Sequence, residues 1–588
     1  MPTAGPVFWP RGQLFTRHAR IVAAIFAAST IIAMGAGCEQ RAGRSSTVAS
    51  SEISPRRGGE AVASVRTEPL AFSRLSARGN DSTTELVTNL TQARLVRINK
   101  LTQEVEPRLA EKWTVQRADP AAGRSGDVYT LTLREGLAFS DGHPLTTDDV
   151  LFTFQVAYDD RVGSSYHDAL QVAGRKLQVG AVDARTVTIT FPGPYAPGIR
   201  ILDSLPIFPK HKLEAAYKAG TIASAWGVSA PPGDITGMGP FVLKSYAPGQ
   251  RIVLERNPHY WRKSDDGTVL PYLDKLTLEI IRDQNAELLR LAAGQLDMTY
   301  SEVPPESYAS IKRAADEGRV RLFDLGVSLD PDSFWFNLKP GAFAGDPRAA
   351  WIQRDELRQA ISLAVDRKLF SDTVFFGAGE PVYLPVTPAN KKWFPKEIPP
   401  APHDPAAAKT LLAKIGATDG ARFTLISQKG RPRLERGAAV IRDELKKIGL
   451  QVELDLRDGG GIVQAIMSQK YDAIYFHAAS SDTDPGTAPE FWFSTGGFHF
   501  WNPGQKTPAT DWEQQIDQLM RRQVAAADEA ERQRLFTDVL RIFDRHKPVI
   551  YFAAPRVFVA VSSRMTNVTP AVYLAPVLWN PDSIAVAR

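Results

Sequence analysis

The sequence predicts an α/β protein, and three observations carry that reading. Strand-like and helix-like patterns alternate through residues 422–477, a half-buried strand near residue 130 leads into a capped helix, and a Pro-Gly turn joins two strand-like runs at 241–257. In "YTLTLREGLAFSDGHPLTTDDVLFTFQVAYD", Tyr129, Leu131 and Leu133 share one face and Thr130, Thr132 and Arg134 the other, the period of a strand with one buried side. "SDGHP" is a turn. Thr146 with Asp149 three residues on starts a helix in the manner of a capping box, and Val150, Phe154, Ala157 and Tyr158 follow at helical spacing. "FVLKSYAPGQRIVLERN" reads most simply as a hairpin.

Further along, "RFTLISQ", "QVELDL" and "YDAIYFH" are strands. Between the first two lies "ERGAAVIRDELKKIGL", a helix with Ala438, Ile441, Leu445 and Ile448 on one stripe and Gly449 near its end. "GIVQAIMSQK" supplies a short helix before the third strand, and Gly459–Gly461 ahead of it read as a loop. Strand-helix-strand-helix-strand implies parallel pairing with right-handed crossovers. Ligands of such sheets bind beyond the carboxyl ends of the strands. "HAASSDTDPGTAPEFWF", His477 to Phe493, leaves the third strand at that end and is therefore a candidate binding rim.

At the N-terminus, Arg11, Arg17 and Arg20 precede "IVAAIFAASTIIAM", Ile21 to Met34, and then "GAGC". The apolar run is shorter than the roughly 20 residues that span a bilayer, and it fits the core of a secretory signal. Cys38, the one cysteine of the chain, stands where a lipoprotein signal is cleaved and its thiol acylated, although Gly35 occupies the position where that pattern prefers Leu. A single cysteine excludes intramolecular disulfides and cysteine-built zinc sites. The stretch "RAGRSSTVASSEISPRRGG" reads as a flexible tether. Net charge is only +5, with 43% hydrophobic and 23% charged residues, and no basic stripe carries interleaved aromatics, so nucleic acid is not an expected partner.

Several segments together resemble one family, the large extracytoplasmic solute-binding proteins of ABC importers (family 5) that include dipeptide and oligopeptide receptors. "EPRLAEKWTV" with "YTLTLREGLAFSDGHPLTTDDVLFTF" is similar to its most recognisable signature, and "GMGPFVLKSYAPGQRIVLERNPHYW" to its Gly-x-Gly-Pro hairpin. "PYLDKLTLEIIRDQNAELLRLAAGQLDMTY", "FWFNLKP", "DELRQAISLAVDRKLF", "HDPAAAKTLLAKIG", "VIRDELKKIGLQVEL" and "AERQRLFTDVLRIFDRHKPVIYF" follow in the family's order. The resemblance implies a periplasmic-binding-protein fold (type II, cluster C), two lobes with a hinge plus an extra domain. The expected segments are a lipoprotein signal (1–38), a tether (39–58), lobe I (59–98, 232–326 and 548–588), extra domain II (99–231) and lobe II (327–547). It further implies a monomer anchored to a membrane through Cys38 at the cell envelope. Such a protein traps a solute by hinge closure, delivers it to an ABC permease with its ATPase, and needs no cofactor and no chemistry of its own.

In peptide-binding members an Asp of this last loop pairs with the ligand α-ammonium, four residues before a Pro, and a Trp stands seven before it. Counting back from Pro485 gives Ser481 and Ala478, so the acid is displaced to Asp482 and the Trp is missing. A one-residue shortening of the loop would restore Asp482 to that role; otherwise the substrate is not a free-amino peptide. Asp484 precedes Pro485 and suits a turn. "DMTYSEVPP" places Tyr300 and Ser301 at the cleft, Trp335 faces cleft or core, and His477 ends a strand where it could meet ligand. Phe491, Trp492 and Phe493 read as packing for the loop's base. A calcium loop starting at Asp482 lacks its bidentate Glu, since position 12 is Phe493. No G-x-S-x-G, H-E-x-x-H or G-x-x-x-x-G-K-[ST] sequence supports an enzyme. Oligopeptide is the leading cargo, with dipeptide, oligosaccharide or nickel chelate behind it. A sensor or chaperone-like binder on the same scaffold is the alternative.

Overall fold

The computed structural model describes residues 57–75, 81–417, 420–478, 482–573 and 575–587. Cys38, the signal and nearly all of the tether lie outside the described residues, as does Ser481.

The first sheet has the strand order Glu60–Val65, Lys275–Ile280, Arg251–Arg256, Phe241–Ala247. Its outer pair Glu60–Val65 and Lys275–Ile280 runs parallel, and the expected Pro-Gly hairpin forms the antiparallel side. A second sheet is antiparallel throughout: Ala110–Gln116, Val128–Leu133, Thr186–Thr190, Gln178–Ala181. Tyr129, Leu131 and Leu133 are buried as alternation requires. The helix Thr147–Ala157 begins where Asp149 accepts the Thr146 amide at 3.0 Å. The other carboxylate oxygen of Asp149 accepts the amide of Lys210, first residue of the helix Lys210–Lys218, at 2.9 Å. One buried acid thus caps one helix and pins the next. Side chains of both sheets belong to one continuous hydrophobic cluster, so the 99–231 region is fused to its neighbour through shared core.

The third body is built on a mixed five-stranded sheet: Gln451–Arg457, Arg422–Gln428, Ala473–Phe476, Ser333–Phe336, Val549–Tyr551. Its first three strands are parallel, as the strand-helix alternation implies, and the last two pair antiparallel. Alternation along Ser333–Phe336 sends Phe334 and Phe336 into one core, with Ile441 and Leu445 of the helix Pro432–Lys446. Trp335 enters the opposite core, with Met520 of Asp511–Ala525 and Phe536 and Phe543 of Glu529–His546. Helices on both faces leave this sheet no solvent side. Gly459–Gly461 form the first turn of the helix Gly459–Ser468, capped by Asp458 on the Gly461 amide at 2.7 Å, where the sequence suggested a loop. The carboxylate cap, with burial of Ile462, Ala465 and Ile466 in the adjoining core, outweighs the low helix propensity of the three glycines.

Two strands cross between the bodies. Val320–Val327 leads into Ser333–Phe336, Ala553–Ser562 returns beside it antiparallel, and Gly379–Pro381 flanks the return strand. Among the described residues no helix is long and apolar enough to cross a membrane.

Candidate solute-binding site

The loop after Ala473–Phe476 folds into two short turns, a 3-10 turn at Pro485–Thr487 and a helical turn at Pro489–Trp492. Four contacts hold it. Asn390 donates to the Thr483 carbonyl at 2.9 Å and Tyr195 donates to the Gly486 carbonyl at 3.2 Å. Arg532 clamps Asp484 with two bonds of 2.9 and 2.7 Å, and Arg200 clamps Asp482 with two of 3.0 and 2.5 Å. Bidentate arginine–carboxylate pairs fix orientation as well as charge.

Asp484 also accepts the Gly486 amide at 2.9 Å, so it shapes the turn. Asp482 and Arg200 each retain only 9% side-chain exposure. Burial works against the Asp482 charge, but the hydrogen bonds and field of Arg200 overcome it and hold the carboxyl below its usual range. The third guanidinium nitrogen of Arg200 donates to the Gln103 carbonyl at 2.8 Å. The sequence expectation offered Asp482 to a ligand ammonium; in the folded chain its cation is internal.

Two cavities meet at this pair. One, of about 640 Å³, lies under the loop and is walled mainly by apolar groups: Val463, Met467, Phe476, Phe498 and Phe500 face it, with Asp482 and Asp484 at one side. The other, of about 340 Å³, is lined by charged groups, among them Arg94, Arg97, Arg108, Asp203 and Asp582. Asp482, Ala169 and Thr487 line both. A volume of 300–1,000 Å³ with apolar walls and few polar groups is the usual form of a small-molecule site.

Trp335 is not a lining residue. It is 1% exposed and stacks on Phe500 with centroids 4.9 Å apart, one ring behind the cavity wall. Its face of the sheet is covered by two helices, which makes it core. His477 sits beside the cavity with Nδ1 3.1 Å from the buried Asp332, which also takes Arg433 at 3.0 Å and the Tyr475 hydroxyl at 3.0 Å. The pull of Arg433 and His477 holds the Asp332 carboxyl below its usual range against the opposing effect of burial. Tyr300 donates to the Ser82 carbonyl at 3.4 Å, and burial pushes its hydroxyl up to about 12. Ser301 is buried and accepts from Arg66. Neither residue lines these two cavities. Trp492 is buried, with Phe491 and Phe493 packed against the same cluster.

Sequence reasoning missed Arg200, Val463, Met467 and Phe498. Nothing local marks Arg200, which lies 282 residues from its partner. Val463 and Met467 did carry a signal. They add a second apolar stripe to a helix whose buried stripe is already complete in Ile462, Ala465 and Ile466.

The comparisons agree with this architecture. The family model for bacterial extracellular solute-binding proteins, family 5, matches residues 104–500, more than half of the chain. A probable ABC transporter-binding protein of Deinococcus radiodurans is 29% identical over 81% of this chain and 84% of its own length. The oligopeptide-binding protein AppA of Bacillus subtilis is 27% identical over 74% of this chain and 76% of its own. The crystal structure of the ABC transporter substrate-binding protein CtaP from Listeria monocytogenes superposes with a TM-score of 0.74 at 22% identity, covering 91% of this chain and all of that one, and so shares the fold. With a two-lobe mixed α/β fold and a cavity at the carboxyl ends of parallel strands, the chain belongs to the bacterial extracellular solute-binding proteins, family 5.

Proposed function

We propose that the protein is the extracytoplasmic substrate-binding lipoprotein of an ABC importer, anchored through Cys38, which captures a small solute and presents it to a permease. Oligopeptide is the leading cargo class. The observation that carries the reading is the 640 Å³ cavity beside the strand ends, walled by a loop fixed through two buried arginine–carboxylate pairs. An apolar cavity whose rim is held by two buried ion pairs suits capture of a solute. In this reading the segment limits follow the sequence frame, with 99–231 as the extra domain and 327–547 as lobe II. Tyr300 and Ser301 then belong to lobe I.

Native mass spectrometry of envelope-extracted protein, purified without refolding, tests the proposal. The expected spectrum shows a second species heavier by one small solute, lost after unfolding and dialysis. A chain that never carries solute and binds none from a peptide library contradicts it. Cys38→Ser should release the protein from the membrane fraction, and retention there contradicts the anchor.

A further inference from the structure

The two carboxylates at the base of the loop, Asp482 and Asp484, are each matched by an arginine from within the chain. Asp482 holds Arg200, and Asp484 holds Arg532. At the rim, Glu490 accepts the Gly497 amide at 2.7 Å. Around these groups the surface turns apolar in an unusual way: Val463 is 53% exposed, Met467 62% and Phe498 61%, and all three line the 640 Å³ cavity. Large apolar side chains left in water around the mouth of an apolar cavity mark a surface meant to be covered. An ammonium that reached Asp482 would lose its water and find that carboxylate held by a guanidinium that also bonds the Gln103 carbonyl.

We infer that Arg200 is a specificity-determining residue, an internal counterion that stands where a cargo's cationic end would otherwise bind, and that the cavity takes an uncharged, apolar end of the cargo. The cargo class is a solute with a bulky apolar group and no obligatory free amine there, such as an amino-blocked peptide. The inference rests on the solute-receptor reading and narrows it.

The test uses twin pentapeptides rich in leucine, one with a free amino terminus and one N-acetylated, together with the neutral dye Nile red as a probe of the cavity. On the wild type the twins should bind within threefold of each other, and Nile red should bind and be displaced by either. Met467→Glu and Phe498→Glu, both at exposed positions, should each weaken dye and peptide at least tenfold. Arg200→Met frees Asp482, so the free-amino twin should then win by tenfold or more. The double variant Arg200→Met/Asp482→Asn should return to indifference.

A wild type that prefers the free-amino twin by tenfold overturns the inference, whichever acid of the wall is responsible, Asp330 included. That outcome needs no variant to fold. Nile red failing to bind the wild type, or binding Met467→Glu unchanged, overturns the cavity assignment. Dye binding that is lost in Met467→Glu, with neither twin bound, upholds the apolar cavity and removes peptide as the cargo. The proposed function and this inference thus fail separately.

Discussion

Arg532 and Asp484 show what the buried pairs contribute at the scale of single residues. Their side chains keep 7% and 5% exposure, and the guanidinium also lies 4.8 Å from the Trp393 ring. Arg532→Met would strand a buried carboxylate, an event that costs about 3–5 kcal/mol, whereas Arg532→Met with Asp484→Asn removes both charges and should cost clearly less. Urea midpoints of the two variants check the difference; equal losses would mean the pair is not coupled. Asp482 makes a pH prediction. Its folded carboxyl titrates below the ordinary value of 3.8, so the stability it adds is complete above that pH and is lost as pH falls through the folded value. Wild type and Asp482→Asn should therefore differ most in melting temperature near neutrality, and the gap should close below about pH 3.8. A gap that stays constant from pH 7 to pH 2.5, a range set by carboxylate titration at roughly pH 4, contradicts the Arg200 pairing.

Within elements, two glycines in helices of the same body should respond oppositely to the same change. A Cβ on Gly437 would lie 2.5 Å from the Tyr475 ring, which is fully buried and tied by its hydroxyl to Asp332. Helix propensity favours Gly437→Ala by about 1 kcal/mol, but overpacking a ring that cannot move costs about 1–3 kcal/mol, so the net effect is destabilising. Gly460→Ala meets nothing closer than 3.6 Å and should stabilise by about 0.5 kcal/mol, as calorimetry of the two variants can read. The same elements mark how far the sequence could be read. Alternation and helical spacing placed the parallel strands, the hairpin and the capped helix, because those patterns are local. Alternation also separated Trp335 from Phe334 and Phe336, but could not say which side was the cleft, since both faces of that sheet are core. The partner of Asp482 was illegible for a different reason: an ion pair across 282 residues exists only once the bodies meet.

Across the whole molecule, polar contacts among the described residues join residues 103–200 to the body that carries the loop, beside the packing of Val524 on the neighbouring core. Besides Arg200 with Asp482 they include Gln103 Nε2 to the Ala389 carbonyl at 3.0 Å and Lys392 with Glu104 at 3.1 Å. The Ala196 amide to the Val524 carbonyl at 2.6 Å and the Tyr195–Gly486 bond are two more. Gly486 permits the approach, since a Cβ there would stand 2.6 Å from Pro197. Some of these contacts are buried, as Arg200–Asp482 and Tyr195–Gly486 are. Yet the net worth of one neutral hydrogen bond is only about 0.5–1.5 kcal/mol, so a set of this size biases an equilibrium between arrangements. A solute that touches both sides adds its binding energy to the same arrangement and shifts the population by its differential affinity. Spin labels at the exposed positions Val182 and Lys446, with Cys38 replaced by serine, would read the shift by pulsed dipolar spectroscopy. Solute-free protein should give two distances, and the solute identified by native mass spectrometry should collapse them to the shorter. Arg200→Met should enlarge the longer component before solute is added. A single distance, unchanged by solute in both proteins, would mean that these contacts form a permanent interface and that capture proceeds without closure.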